Sequence, residues 1–537
     1  MKKSVGLRLS TSAIRRRSLV QSLGGRDNET LTFVRDAGFH LQYTPAMLIR
    51  EGVRSFRAVI WRVLLISASL LLPCFWHKRI EAGDLPSHTY NAWLSQLIAR
   101  GQAPGLYVES RWDNVLSDIA LAKLGALTGF VVAEHIVVAL AVLIFFWGAF
   151  TLISAASLRA AWTLVPGIAM IAYGWTFYAG FLNYYLSLGF AFWAVALFWR
   201  GRGIDLLAGA VLALLSLLAH PMGLVILVGL AIYLRLSEML RGWIRWLLFV
   251  VGCSVVLGLH RYVLHLKNAF WHTWKDFLYM NGTDQLSLFA TRYQKLSMAV
   301  LVFGTICFLH GVLCEWRKNP DFHRPSRAPL ELWLLLLLAA LMIPETILVP
   351  DLSPVPFGRV ISRITSVTGV LALCVVGSIK PRTWHLAGLG ICALVFFTWT
   401  YQDTGILNDI ERQAEILVRS LPYGRRITST LTHPGWRLPI FNHSVDRACI
   451  GRCFAYDNYE PSTAQFRIRV HQGSPVVTDS VKAHSEMQRG SYTVRKENLP
   501  MAQIYQCDEK NLTKLCIREL SAGEQNGSIG HRPPGCF

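Results

Sequence analysis

The sequence predicts an all-α polytopic membrane protein with about eleven transmembrane helices and a small α/β domain at its C-terminal end. Three observations predict it. The 537-residue chain is 53% hydrophobic and only 16% charged, where a soluble globular protein carries about 25% charged residues. Its apolar residues gather into uncharged runs of bilayer-spanning length. After Gln402 the composition changes: residues 402–537 hold 17 Lys+Arg and 14 Asp+Glu and no long apolar run. A soluble enzyme this apolar could not cover its surface. Intrinsic disorder is excluded too, because it needs low hydrophobicity.

Residues 1–57 form a basic tail with 11 Lys+Arg against 4 Asp+Glu. It is too long and too charged for the n-region of a signal peptide, so the first span is expected to be an uncleaved anchor. Thr44-Pro45 opens a helix, with Thr as N-cap and Pro at the first position. With Arg50, Arg54 and Arg57 that helix is expected to lie along the inner lipid surface. Residues 58–401 form the transmembrane domain. Spans are expected near 63–77 and 136–158, with two more inside 160–199 that turn near 174–183. Residues 206–234, broken at His220-Pro221, form two short spans or one long broken one. Further spans follow near 243–259, 297–314, 329–349, 359–379 and 385–401. Two long outer loops are expected at 78–127 and 260–296.

Charge placement orients these spans. The formal net charge is +20. With the N-terminus in the cytoplasm, the short inner loops hold Arg159, Arg200, Arg202, Arg235, Arg241, Arg245, Arg317, Lys318, Arg324, Arg327, Lys380 and Arg382. The outer turns near 175–183, 219–222 and 350–358 hold no Lys or Arg. This is the positive-inside pattern. An odd span count then places residues 402–537 outside the plasma (inner) membrane. The positive excess is a topology signal and gives no reason to invoke nucleic acid.

In the C-terminal domain, Leu407, Ile410, Ala414, Leu417 and Leu421 recur at helical spacing, so a helix follows the last span. Short strands are expected near 427–431, 466–470, 504–507 and 515–517. Of five cysteines here, Cys507 and Cys516 flank a hairpin turn, and Cys449 and Cys453 are close enough to pair across Gly451. An oxidising compartment would make both pairs disulfides, with Cys536 left over. A metal site at Cys449 and Cys453 is the rival, but no His stands at ligand spacing.

The first outer loop carries the chemistry. It runs from Glu81 through Asp84 into Pro86, and Tyr90, Trp93, Leu94, Leu97 and Ile98 then mark an amphipathic interfacial helix. Asp84 sits at the loop-to-helix entry beside the lipid. There a carboxylate is a candidate general base on a hydroxyl, or a ligand for a divalent metal that the sequence does not require. His88, four residues on, shares its side. The bland alternative is that Asp84 caps the helix. Candidate phosphate binders are Arg359 and Arg363, four apart on one helix face, and Arg261 and Lys267 in the second loop, among aromatics such as Trp271 and Trp274. His220-Pro221 lies at an outer turn. Glu134 is placed to face Asp84 across a cavity, and Glu345 lies near a span end. The aromatic run 173–178, with Tyr184 and Tyr185, is expected mainly as an interfacial belt.

A first span, an outer loop opening on an acid, an amphipathic helix, many spans and an outer C-terminal domain together resemble the GT-C superfamily of membrane glycosyltransferases. The segment from Asp84 and His88 to Gly101 and Pro104 resembles that loop in bacterial members, although Gly83-Asp84 replaces their paired acids. The resemblance implies a GT-C-like fold and a polyprenyl-phosphate-linked sugar donor. It implies transfer on the outer face to an envelope lipid, glycan or protein, with Asp84 deprotonating or orienting the acceptor hydroxyl. Basic residues would neutralise the phosphate leaving group. The rival functions are a transporter or flippase of lipid-linked saccharide, and a non-catalytic scaffold with an outer binding domain.

Overall fold

The computed structural model describes residues 45–265, 269–271, 280–316, 327–347, 358–379, 382–432, 436–438, 440–463, 465–508 and 511–527. The chain divides into two compact units between Ser67 and Ala68. What is described of the first is the N-terminal part of α1 (Pro45–Phe75). This helix is continuous. It begins at Pro45, where the sequence places a helix start, and runs on into the first apolar run.

The second unit continues with α2 (Leu85–Ala99), β1 (Leu106–Val108), α3 (Leu116–Thr128), α4 (Phe130–Ser157), α5 (Val165–Ala172), α6 (Trp175–Tyr178) and α7 (Leu182–Arg200). Next come α8 (Ile204–Ala219), α9 (Pro221–Met239), α10 (Gly242–Val263), β2 (Ala269–Phe270), α11 (Thr291–Trp316), α12 (Arg327–Met342) and β3 (Thr346–Ile347). Two long helices follow, α13 (Val360–Ser378) and α14 (Thr383–Arg419). Among the described residues, eight helices are long and apolar enough to cross a membrane: the Arg57–Phe75 part of α1, then α4, α7, α9, α10, α11, α13 and α14. The first half of the 160–199 run is only the eight-residue α5. Residues 204–239 form two helices that part at His220.

Burial separates these helices into two kinds. The faces of α4, α7 and α13 are mostly covered. At the α4–α7 crossing the backbones nearly touch: a Cβ on Gly148 would stand 2.4 Å from the Gly189 carbonyl oxygen. By contrast, Trp243, Val255 and Val225 are exposed, as are Leu394 and Leu72. Apolar helices left this bare need an apolar solvent, which associates the chain with a lipid bilayer.

Helix α14 has 37 residues, roughly 55 Å at 1.5 Å per residue, against a hydrocarbon core of about 30 Å. The last span and the helix expected after it are therefore one rod. Its charged half, from Asp403 on, carries the C-terminal segment. That segment adds β4 (Arg426–Thr430), β5 (Phe454–Ala455), α15 (Glu460–Thr463), β6 (Ile468–Val470), α16 (Val481–Arg489), β7 (Met501–Gln506) and β8 (Leu515–Glu519). A four-stranded sheet in the order β5-β4-β7-β8 pairs β4 parallel to both neighbours and β7 antiparallel to β8. Met487, Tyr492, Val494 and Met501 pack beneath it. Disulfides join Cys449 to Cys453 and Cys507 to Cys516. A second, two-stranded pairing sets Leu106–Val108 antiparallel to Ile468–Val470. It ties the segment after α2 to the end of the chain.

Candidate functional site

Asp84 is placed by backbone pairing. The amides of Gly83 and Asp84 donate to the carbonyls of Tyr178 (2.8 Å) and Ala179 (3.1 Å). Gly180 permits this approach: its φ is +82°, and a Cβ there would lie 2.2 Å from the Asp84 nitrogen. Asp84 occupies the N-cap position of α2, yet its side chain makes no capping hydrogen bond. The bland reading of the carboxylate as a helix cap therefore does not hold. Its side chain is 27% exposed and lines a cavity of about 700 Å³.

The same cavity is lined by His88, His220, Arg359 and Arg363. Five of the residues singled out in the sequence thus meet in one place, across more than 270 residues of chain. Arg111 and Asp113 join them, held together by a 3.2 Å ion pair. The walls include Leu182, Pro221–Met222 and Arg359, where α7, α9 and α13 begin. Three helix starts with their positive dipole ends therefore border the space, the first amides of α9 and α13 being taken by His220 and Glu345. Arg359 adopts a left-handed φ of 58°, a strained conformation for arginine, and its guanidinium lies 5.9 Å from the Trp175 ring centroid.

His220 and Arg363 face each other at 3.4 Å between Nε2 and Nη1. Arginine has only donors, so this contact is a hydrogen bond only if Nε2 is bare. The His220 Nδ1 already accepts the Met222 amide at 3.1 Å. A neutral ring cannot accept at both nitrogens. With Nδ1 capping α9, Nε2–H points toward Arg363, and two donors converge where an anionic oxygen would satisfy both.

His88, which lines the cavity, is held by acids far apart in sequence. His88 Nδ1 lies 3.2 Å from Asp118 Oδ1 and 3.3 Å from Glu460 Oε1. Burial disfavours its charged form, but the Glu460 and Asp118 carboxylates outweigh that and lift His88 to about 10. Burial also raises the Glu460 carboxyl above its usual range. Asn183 holds the start of α3 by accepting from the Ser117 amide and hydroxyl, at 2.8 and 2.7 Å. On α2, Asn91 and Ser87 meet Asn458, whose Nδ2 donates to Asn91 Oδ1 at 2.8 Å. Asp118, Arg111, His443 and Glu460 were missed in the sequence. No spacing rule links a C-terminal segment to a loop more than 300 residues upstream.

Several expected site residues stand elsewhere. Glu134 does not face Asp84. It is buried, pairs with Arg447, and accepts from the Thr89 hydroxyl at 2.7 Å. A carboxylate this deep needs a cation, and Arg447 supplies one. Arg447 also binds Glu411 through two contacts of 2.6 and 2.7 Å and approaches Glu81 at 3.6 Å. Arg79 adds a second cation, 3.3 Å from Glu411. Burial, then Glu411, raises the Glu81 carboxyl well above its usual range. Arg261 is exposed near the end of α10 and does not line the cavity. Lys267 and Trp274 lie outside the described residues. Glu345 accepts from the Ile361 amide and the Ser362 hydroxyl, so it caps α13. The aromatic run is no interfacial belt: Tyr173, Trp175, Tyr178, Tyr184 and Tyr185 are buried, and the Tyr184 hydroxyl donates to the Arg363 carbonyl at 2.8 Å.

Among the described residues, no three His, Cys, Asp or Glu side chains are grouped as metal ligands. No protein-family model matches the chain, and its sequence matches no curated protein.

Proposed function

We propose that the chain is a GT-C-type membrane glycosyltransferase that moves a sugar from a polyprenyl-phosphate donor to an envelope acceptor. One observation carries this reading. A carboxylate and a set of anion-attracting groups line the same cavity, at the ends of bilayer-compatible helices. Asp84 takes the proton of an acceptor hydroxyl as that oxygen attacks the anomeric carbon. The bond from that carbon to the phosphate oxygen breaks, and the phosphate leaves on its lipid. Arg359, Arg363 and His220 Nε2–H take up the developing negative charge. Placing this face outside the membrane, with a cytoplasmic N-terminus, follows from the charge placement, and the count of eleven spans from the apolar runs; both belong to the same proposal.

The scaffold alternative calls for a filled interior, whereas Asp84 and Arg359 share a cavity of about 700 Å³. A flippase would need no base. Asp84→Asn therefore decides: it should abolish transfer of labelled sugar into envelope lipids and glycans, while the protein still inserts and runs as a single species in detergent. Wild-type transfer by that variant would overturn the assignment of Asp84.

A further inference from the structure

Asp84 has a partner from the far end of the chain. Nε2 of His443 lies 3.9 Å from its Oδ1. The other ring nitrogen, Nδ1, lies 3.2 Å from Asp446 Oδ2. The ring is buried, with its centroid 4.8 Å from that of Tyr459. We propose that His443 is the positioning residue of Asp84, held by Asp446 so that its Nε2 faces the carboxylate and keeps it aimed into the cavity. This rests on the reading of Asp84 as the base.

The geometry distinguishes this role from a merely satisfied core histidine. A pair that only closed the turn from His443 to Asp446 would leave Nε2 without direction. Here Nε2 stands 3.9 Å from Asp84, a cavity-lining carboxylate that leaves its own helix uncapped. Asp446 accepts the Nδ1 proton, so Nε2 carries a proton toward Asp84 when the ring is the imidazolium. Other charges bear on the same point. His88, Arg363, Tyr459 and Glu460 feel the Asp84 charge, and Asp457 and His484 flank His443. Burial disfavours the imidazolium, but the Asp446 hydrogen bond and charge, and then Asp84, outweigh it. His443 keeps its proton above the usual histidine range. No bond is made or broken at His443; its charge offsets that of Asp84 until the acceptor proton arrives.

Two measurements on the full-length protein in lipid nanodiscs test this. In the first, the imidazole nitrogens are labelled with nitrogen-15 and titrated by NMR, and the His443 signal is identified by its loss in His443→Gln. Asp84→Asn should move the His443 titration to lower pH. An unmoved titration would overturn the proposal, whatever Asp84→Asn does to transfer. In the second, membranes carrying His443→Gln are assayed for transfer from their own lipid-linked sugars across a pH range. The rate should fall about 10- to 100-fold, with the acid limb of the profile moved to higher pH. Binding of farnesyl phosphate, the probe for the anion face, should be unchanged. A wild-type rate and profile would count against His443. Should His443→Gln fail to fold, the titration in Asp84→Asn still decides, because it leaves the ring intact. An active Asp84→Asn with a moved His443 titration would sink the base reading and leave the coupling standing.

Discussion

At the scale of single residues, the site depends on directions more than on identities. Gly180 is the clearest case. A side chain there meets both a left-handed φ of +82° and the Asp84 nitrogen at 2.2 Å. Gly180→Ala should cost about 1–2 kcal/mol for the backbone alone. The loop must also move away, so transfer should fall further than stability does. A thermal melt beside a transfer assay separates the two, and a variant with lowered melting temperature but unchanged turnover would refute the claim. Arg363 tests the opposite wall. Arg363→Gln removes a charge-assisted donor worth about 1.5–3 kcal/mol, so affinity for farnesyl phosphate should weaken roughly 10- to 150-fold by titration calorimetry. Arg363→Lys should restore only part of it, because a point charge cannot reproduce the guanidinium fork over Phe181. Equal binding by all three proteins would place the anion elsewhere.

At the scale of elements, Arg447 joins pieces that the chain keeps apart. It grips Glu134 on α4, Glu411 on α14 and the carbonyl of Ile80 just before the Asp84 loop. Breaking one partner of such a buried network costs about 3–5 kcal/mol, because it strands the other charges. Arg447→Met should therefore yield little folded protein. Adding Glu134→Gln and Glu411→Gln should recover much of it, as judged by monodisperse yield in detergent. A stable single variant, or no recovery in the triple, would show that the network does not hold these elements. The same elements show what the sequence could reveal. Apolar runs marked the long helices, because lipid demands an unbroken apolar surface. Period and turn chemistry placed β4, β6, β7 and β8 within a few residues. Asp84, His88, His220, Arg359 and Arg363 stood out because polar groups near span ends are costly. Glu134 stood out for the same reason and misled, since its partner Arg447 lies 313 residues away. The buried aromatics of 173–185 misled because composition cannot separate a belt from a core. His443, Asp118 and Glu460 were illegible, since each gains its meaning only when the C-terminal segment folds back onto α2 and α3.

At the scale of the whole molecule, the C-terminal segment and the first connecting segment share a set of buried ionisable groups that lean one way. His88 is lifted to about 10 by Glu460 and Asp118 against the effect of burial. Burial raises Glu81, Asp446, Asp457 and Glu460. In every case the folded state holds its proton more tightly than the unfolded chain. A raised histidine contributes stability that is fully present below the unfolded value near 6.5 and is lost as pH climbs toward 10. A raised buried carboxyl behaves alike: it is favourable while protonated, and unfolding becomes easier once pH passes the unfolded value near 4 and approaches the raised one. The carboxyls therefore bind more protons folded than unfolded from about pH 4 up to their raised values, near 7 for Asp457 and Glu460, and His88 does so from about 6.5 to 10. These groups make the unfolding free energy fall with rising pH, opposed below about pH 6.5 by His484, which burial lowers to about 4. Apparent melting temperature in nanodiscs should accordingly be highest at mildly acidic pH and decline steadily toward pH 9. His88→Gln should flatten the decline above pH 6.5 without altering the slope below it. Stability that rose from pH 5 to 9 would mean that these groups are charged and solvated in the folded protein, and that the packing of the C-terminal segment onto α2 is looser than the buried His88–Glu460 contact requires.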